Sequence, residues 1–264
     1  MPTLVEFLPV ATGPSPVAVA PVTSDDVQLA ALAQAGKLMG WWRADQGLTS
    51  GGWLDRVNDI LLTAQRGALP TLDAAGGANG KPRAIAPTTV SCLVSPAGVF
   101  PANASFSIAV VGRLGGGAGA AALGFFAGNA TNDFAAGVNN SSNASLWAGG
   151  APLLNAGGVT VNNAAGVKLL VYSFQYTSAS AQQAKIRING ADINVWNAGT
   201  GRSWTDTRFS VLDVGLSQFY PVSGAEIEDV FLFPVALHAD AGLVNGLSAL
   251  QSLEAYARNR YALW

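Results

Sequence analysis

The chain has 264 residues, of which half are hydrophobic and only 11% charged, with a formal net charge of −2. Globular proteins average about 25% charged residues, so this surface must rest largely on Gly, Ala, Ser, Thr and Asn. No basic run exceeds two residues, which excludes the electrostatic footprint of a nucleic-acid binder, and a single cysteine, Cys92, excludes an intrachain disulfide framework.

Residues 1–23 read as an extended arm. Pro2, Pro9, Pro14, Pro16 and Pro21 forbid a stable helix. Leu4, Val5, Phe7, Leu8 and Val10 are costly to leave in water. Two readings stay open: an arm packed on a neighbouring subunit, or a first strand plus a tether. The segment has no positive leader and no long apolar helix, so it is read neither as a signal peptide nor as a membrane anchor. Residues 24–38 predict a short helix. Ser24 is placed as N-cap, with Asp25 and Asp26 at the positive helix end and Gly36 as the stop. Val27, Ala30, Ala31 and Gln34 form one face, and Leu29 and Leu32 a second apolar one.

From Met39 onward the pattern is one of short apolar runs broken by Gly, Asn, Ser and Pro. Strands are predicted over 104–114, 166–176, 184–190, 208–215 and 226–233, all rich in β-branched and aromatic residues. Phe106, Ile108 and Val110 share one face. Leu170, Tyr172, Phe174 and Tyr176 share another, with Leu169 and Val171 opposite. A strand apolar on both faces belongs in the middle of a layered structure. Asn189-Gly190 is a hairpin signal, because both turn positions need positive φ. Lys185 and Arg187 are expected to face water. Cys92, in the alternating run TTVSCLVS, reads as a buried small hydrophobe. The Gly-rich stretch 114–124 lacks the ending of a phosphate-binding loop and reads as a loop between strands. Helical spacing returns over 240–261, with Asp240 as the cap and Leu243, Leu247, Leu250 and Glu254 on adjoining turns. The fold class is therefore all-β, a jelly-roll β-sandwich with an extended N-terminal arm, a short N-terminal helix and a C-terminal helix. The division is 1–37 for attachment or oligomerisation and 38–264 for the sandwich.

Two stretches carry a resemblance. Near the start stand Trp41, Trp42, Asp45, Trp53, Asp55 and Asn58. Near the end stand Gly224, Glu228, Leu237, Tyr256, Arg260, Tyr261 and Leu263, with Ala262 where a Gly is common. These patterns resemble the opening and closing of the concanavalin A-like and laminin-G-like jelly-roll superfamily, over about residues 38–264. Domains with this closing pattern are frequent in phage virion proteins and bacterial surface proteins. The resemblance thus implies a non-enzymatic virion protein, a head decoration, fibre or tail component, exposing a lectin-like domain. Its expected partners are other virion proteins, further copies of itself and a cell-surface polysaccharide, with no nucleic acid and no membrane insertion. The expected location is the virion surface. The alternative is a carbohydrate-binding module of an extracellular bacterial protein.

Catalytic chemistry finds little support. Glycosidases of this broad fold place paired carboxylates about a bond. The one candidate group is Glu226, Glu228 and Asp229, with Glu226 and Glu228 on one strand face and Asp229 opposite, and its spacing does not match. His238, the single histidine, reads as a surface or capping residue, with no nucleophile elbow to serve. No cofactor is expected. Calcium stays open through Asp133 with Asn129, Asn132, Asn139 and Asn140, which are also ordinary turn formers. For a sugar, aromatic faces stack on rings while amides and charged groups read hydroxyls. Trp196 and Trp204 bracket the loop NAGTGRS, with Asn197 and Arg202 inside it. Trp147 follows an Asn-rich run and Tyr220 precedes Pro221. These six are the candidate ligand-binding residues. The other reading has the tryptophans plugging the ends of the sandwich.

Overall fold

The computed structural model describes residues 24–87, 91–99, 101, 103–114, 121–126, 134–138, 143–148, 151–160, 166–178, 181–198, 208–211 and 225–264. Within them, the side chains of 66, 121–126, 134–135, 138, 147–148, 151–160 and 194–198 are not described. The arm, residues 1–23, lies outside the described residues.

Two antiparallel sheets face each other. The first runs Ala191–Ala198, Ala181–Ile188, Lys168–Ser178, Phe106–Arg113, Glu226–Phe233, Arg83–Ile85 and Thr71–Asp73, with Gly40–Arg43 also paired to Glu226–Phe233. The second runs Ala151–Thr160, Asn143–Ala148, Phe134–Val138, Ala121–Phe126, Arg208–Val211, Cys92–Val94, Leu61–Arg66, Gly52–Leu54 and Leu48–Thr49. The molecule is an all-β sandwich with one helix near each end of the chain.

The alternation read in the sequence decides the layering. Phe106, Ile108 and Val110 stand opposite Phe174, Tyr172 and Leu170 in register. Together they fill the core between the sheets, with Trp42, Trp53, Leu93 and Phe209. Phe106 and Phe174 stack with ring centroids 5.5 Å apart. Ala109, Val111, Leu169 and Val171 point the other way, into a second core under the helices α1 (Ser24–Gln34) and α2 (Ala249–Tyr261). The central strands are apolar on both faces because one face meets a sheet and the other a helix layer.

The ends of the helices differ from expectation. Ser24 lies inside α1 and not at its cap, and the residues before it lie outside the described residues. Gly36 does end the helix, at φ 67°, and Gly36 and Lys37 return their N–H groups to Ala33 and Leu32. Asp240 does not cap α2; its Oδ1 accepts from Gly242 N–H at 3.2 Å. It pairs with Lys37 at 2.7 Å. Residues 243–248 form a hairpin about Asn245-Gly246, at φ 51° and 81°. Only then does α2 start, capped by Ser248, which accepts from Gln251 N–H while the Gln251 side chain accepts from Ser248 N–H.

Other expectations sort by burial and pairing. Asn189 and Gly190 turn as expected, at φ 46° and 80°, and Asn189 also accepts from Leu169 N–H at 2.9 Å. Lys185 and Arg187 do not face open water. Both bond Asp192, and Arg187 also reaches Glu254 on α2, which covers that face. Part of the Gly-rich stretch is a strand, Ala121–Phe126, rather than loop. Of 208–215, Arg208–Val211 is a strand and the remainder lies outside the described residues. Cys92 is buried, as read.

Candidate functional site

The six expected ligand-binding residues are not gathered into one described site. Trp196 and Asn197 lie within the edge strand Ala191–Ala198, cross-strand from Ala184 and Gln183, and are not loop residues. Trp147 lies in Asn143–Ala148 of the other sheet, opposite Ala135 and Pro152. The edge strands Ala151–Thr160 and Ala191–Ala198 approach each other. Trp147, one strand in from that edge, and Trp196 therefore sit on the same flank of the sandwich. Arg202, Trp204 and Tyr220 lie outside the described residues, as do Asn129, Asn132, Asp133, Asn139 and Asn140. Among the described residues, no three His, Cys, Asp or Glu side chains converge as a metal site would require.

The acidic strand is organised by a β-bulge. Register shifts between Ile227 and Asp229, which face Gly112 and Val111 in succession. Ile227, Val230 and Leu232 point into the inter-sheet core while Phe231 and Phe233 join the helix layer. Strict alternation cannot satisfy this set, so Glu228 is the extra residue. A Cβ on Gly112 would come within 2.5 Å of the Glu226 carbonyl oxygen, so the close approach at the bulge requires glycine there.

Each acid is thereby committed differently. Glu226 pairs with Arg83 and, at 3.5 Å, with Arg113, while Arg83 also holds Asp73 at 3.0 Å. Glu228 is fully buried beneath the loop at Gly77–Ala78, and its Oε1 accepts from Ala78 N–H at 3.2 Å. Its Oε2 has no hydrogen-bond partner among the described residues, and burial pushes its pKa up to about 7. Asp229 accepts from Trp41 Nε1 at 3.1 Å, from the Tyr256 hydroxyl at 2.7 Å and from the Tyr261 hydroxyl. Burial raises it to about 6 against the pull of Arg43 and Arg260. Glu226 and Glu228 do not form a pair flanking an open cleft.

The residues that carry the family resemblance prove to be joints. Asp55 accepts four backbone N–H groups, from Trp41, Val57, Asn58 and Ile60. Trp53 Nε1 donates to the Arg43 carbonyl, and Asn58 Nδ2 to that of Met39. Arg43 forks onto Asp45 at 2.5 and 2.7 Å and reaches Asp26 of α1 at 3.0 Å. Arg260 of α2 closes on Asp45 at 3.0 Å. Opening and closing motifs thus meet in one buried ionic network.

His238 is a correction of another kind: it is half-buried and neither a surface nor a capping group. Its Nδ1 lies 2.7 Å from Ser173 Oγ. Ser107 Oγ is bonded to the Val235 carbonyl, which can only accept, and to Ser173 Oγ, both at 2.9 Å. The Ser107 proton therefore goes to Val235, Ser173 donates to Ser107, and His238 Nδ1–H donates to Ser173; this assignment rests on counting protons. The bare Nε2 is shielded and has no hydrogen-bond partner among the described residues. Burial, then the nearby Lys185 charge, lowers this imidazole to about 4. The adjoining cavity, about 10 Å³ between Val171, Ser173, Lys185, Arg187, Leu237 and Leu250, is far too small for a sugar ring. The clasp escapes sequence reading because Ser107 and Ser173 look like ordinary strand serines.

No protein-family model matches the chain, and no curated protein matches it. Solved structures do. A sialidase from Trypanosoma rangeli, in complex with sialic acid, superposes on 86% of the chain with TM-score 0.57 and 12% identity. Domain 4 of an extracellular arabinanase from Geobacillus stearothermophilus, in complex with arabinotriose, superposes on 76% of the chain with TM-score 0.53 and 15% identity. The binding domain of Paraclostridial Mosquitocidal Protein 1 gives 78%, 0.54 and 11%. The matches span 93% of the arabinanase domain but only 33% of the sialidase and 50% of the toxin binding domain. At these identities the likeness is one of fold, that of a β-sandwich.

Proposed function

We propose that the chain is a non-enzymatic recognition domain that binds a cell-surface polysaccharide, carried on an assembly such as a phage particle by its N-terminal arm. The observation that carries the binding reading is the match to almost the whole of a domain solved with arabinotriose. The match to a toxin binding domain runs the same way. Against catalysis, Glu226 is occupied by Arg83 and Arg113, Glu228 is sealed under the loop at Gly77–Ala78, and Asp229 is held by two tyrosines and a tryptophan. The sugar would stack on Trp147, Trp196, Trp204 and Tyr220 and be read by Asn197 and Arg202. No cofactor is required for such contacts.

The virion setting rests on the apolar, proline-rich arm, the low surface charge and the resemblance of the closing motif. A glycan array with the wild type and Trp204→Ala tests the binding reading. Binding to a bacterial surface glycan that the substitution abolishes is expected. A wild type that retains no glycan at high protein concentration would overturn it.

A further inference from the structure

We propose that residues 235–239, which join the strand Glu226–Phe233 to the hairpin before α2, form a flap that His238 latches to the sheet and releases when its imidazole takes a second proton, while the sandwich stays folded. The flap is anchored at both ends. Phe233 stands in register with Ser107, and Asp240 is paired with Lys37 at 2.7 Å. Between these anchors the N–H groups of Ala239 and Asp240 turn back on the Ala236 carbonyl and do not reach the sheet. Among the described residues, every hydrogen bond from the flap to the sheet runs through two serine hydroxyls. Ser107 donates to the Val235 carbonyl and accepts from Leu237 N–H, both at 2.9 Å. Ser173 accepts from the backbone N–H and from Nδ1–H of His238, at 3.4 and 2.7 Å.

The hydroxyls fix where the second proton must go. Ser107 Oγ gives its proton to Val235 and has both lone pairs engaged, by Leu237 N–H and by Ser173. Ser173 gives its proton to Ser107 and takes the Nδ1 proton of His238. An added proton can enter only at Nε2, which is shielded and has no hydrogen-bond partner among the described residues. The surroundings disfavour a cation there. Val171, Leu237 and Leu250 line the adjoining cavity together with Lys185 and Arg187. The nearby carboxylates are engaged: Asp192 holds Lys185 and Arg187, Glu254 on α2 holds Arg187, and Asp240 at the end of the flap holds Lys37. Burial, then the Lys185 charge, lowers the imidazole to about 4, with Asp192 opposing. Swung into water, the same ring regains its ordinary value of 6.5. Acid therefore favours the open flap over the closed one. The inference is independent of the glycan.

Amide exchange read residue by residue tests the latch, because the N–H groups of Leu237 and His238 bond the two serines. After correction for the intrinsic rate, opening at these two amides is expected to rise about 50-fold between pH 7 and pH 4.5, the factor that a pKa of about 4 when closed and 6.5 when open provides. Val110 and Leu170, paired in the central strands, should keep their protection. In His238→Asn, whose side-chain nitrogen can take the place of Nδ1 and does not titrate, opening should be the same at both pH values. Opening that does not change with pH in the wild type would overturn the proposal, and so would opening that rises equally in His238→Asn. Central-strand amides that lose protection in step with the flap would do the same, since acid would then unfold the sandwich as a whole. The wild-type series decides between these outcomes even where the variant does not fold.

Discussion

Tyr256 on α2 donates its hydroxyl at 2.7 Å to Asp229, a residue on the central strand Glu226–Phe233, and so fastens the last helix to the sheet from within. Asp229 is completely buried and also serves Trp41 and Tyr261. Asp229→Ala should cost about 3–5 kcal/mol, because it strands three donors and leaves Arg43 and Arg260 short of a counter-charge. Tyr256→Phe should cost less, about 1.5–3 kcal/mol, for one hydrogen bond to a charged acceptor. Urea denaturation of both variants checks the order; equal losses would mean that Asp229 is not the hub.

The bulge makes a steric prediction. Gly112→Ala places a Cβ 2.5 Å from the Glu226 carbonyl oxygen, and backbone cannot step aside as a flexible side chain can. The expected loss is about 2 kcal/mol or more. A thermal melt indistinguishable from wild type would show that the bulge relaxes freely.

Stability should depend on pH with two opposed slopes. Glu228 has its pKa raised from 4.5 to about 7, so between those values the folded chain holds a proton that the unfolded chain has lost, and stability falls as pH rises. Replacing it by neutral Gln keeps an acceptor for Ala78 N–H. Glu228→Gln should be close to neutral near pH 4.5 and stabilising at pH 8, by at most about 3 kcal/mol. His238 acts in the other sense. Its pKa is lowered from 6.5 to about 4, so its neutral form contributes stability above pH 6.5, lost as pH falls towards 4. Asp229, raised to about 6, adds to the Glu228 slope in the same window, so the His238 contribution is read as a difference: the wild type's stability relative to His238→Gln should shrink as pH falls from 6.5 to 4. Denaturant midpoints from pH 4 to 8 separate the two; parallel profiles for wild type and both variants would contradict the assignment.

Ser248 supplies a control away from the core. Ser248→Ala removes one half of the capping box at the start of α2 and should cost about 1 kcal/mol. Asp240→Ala, at the cap position that spacing alone suggests, removes the pair with Lys37 and the acceptor for Gly242 N–H, and should leave the start of α2 intact. Amide exchange over Ala249–Leu253 checks this: faster exchange is expected in Ser248→Ala and not in Asp240→Ala, and the reverse would place the helix start at Asp240.

What the sequence disclosed depended on how local the determinant was. Phe106 to Val110 and Leu169 to Phe174 could be placed on their faces because a strand's period is set by its own backbone. Asn189-Gly190 announced its turn for the same reason. Asn245-Gly246 carries the same signal, but the leucines at 243, 247 and 250 imitate helical spacing and mask it. The bulge at Glu228 has no local cause; it arises because Ile227 and Val230 must face one core while Asp229 faces another. The candidate site was least legible. Aromatic residues near Asn and Gly suit a strand as well as a loop, and Trp196 and Asn197 turned out to be in a strand. His238 gave no sign of Ser107 and Ser173, whose approach is purely tertiary.

The central claim, recognition without cleavage, is tested most directly by incubating the protein with the polysaccharide that the glycan array selects and following bound protein and released reducing ends together over days. The account predicts saturable binding with no reducing ends above the protein-free control. Reducing ends that accumulate with wild type and vanish with Glu228→Gln would contradict it and make the buried carboxylate a catalytic group.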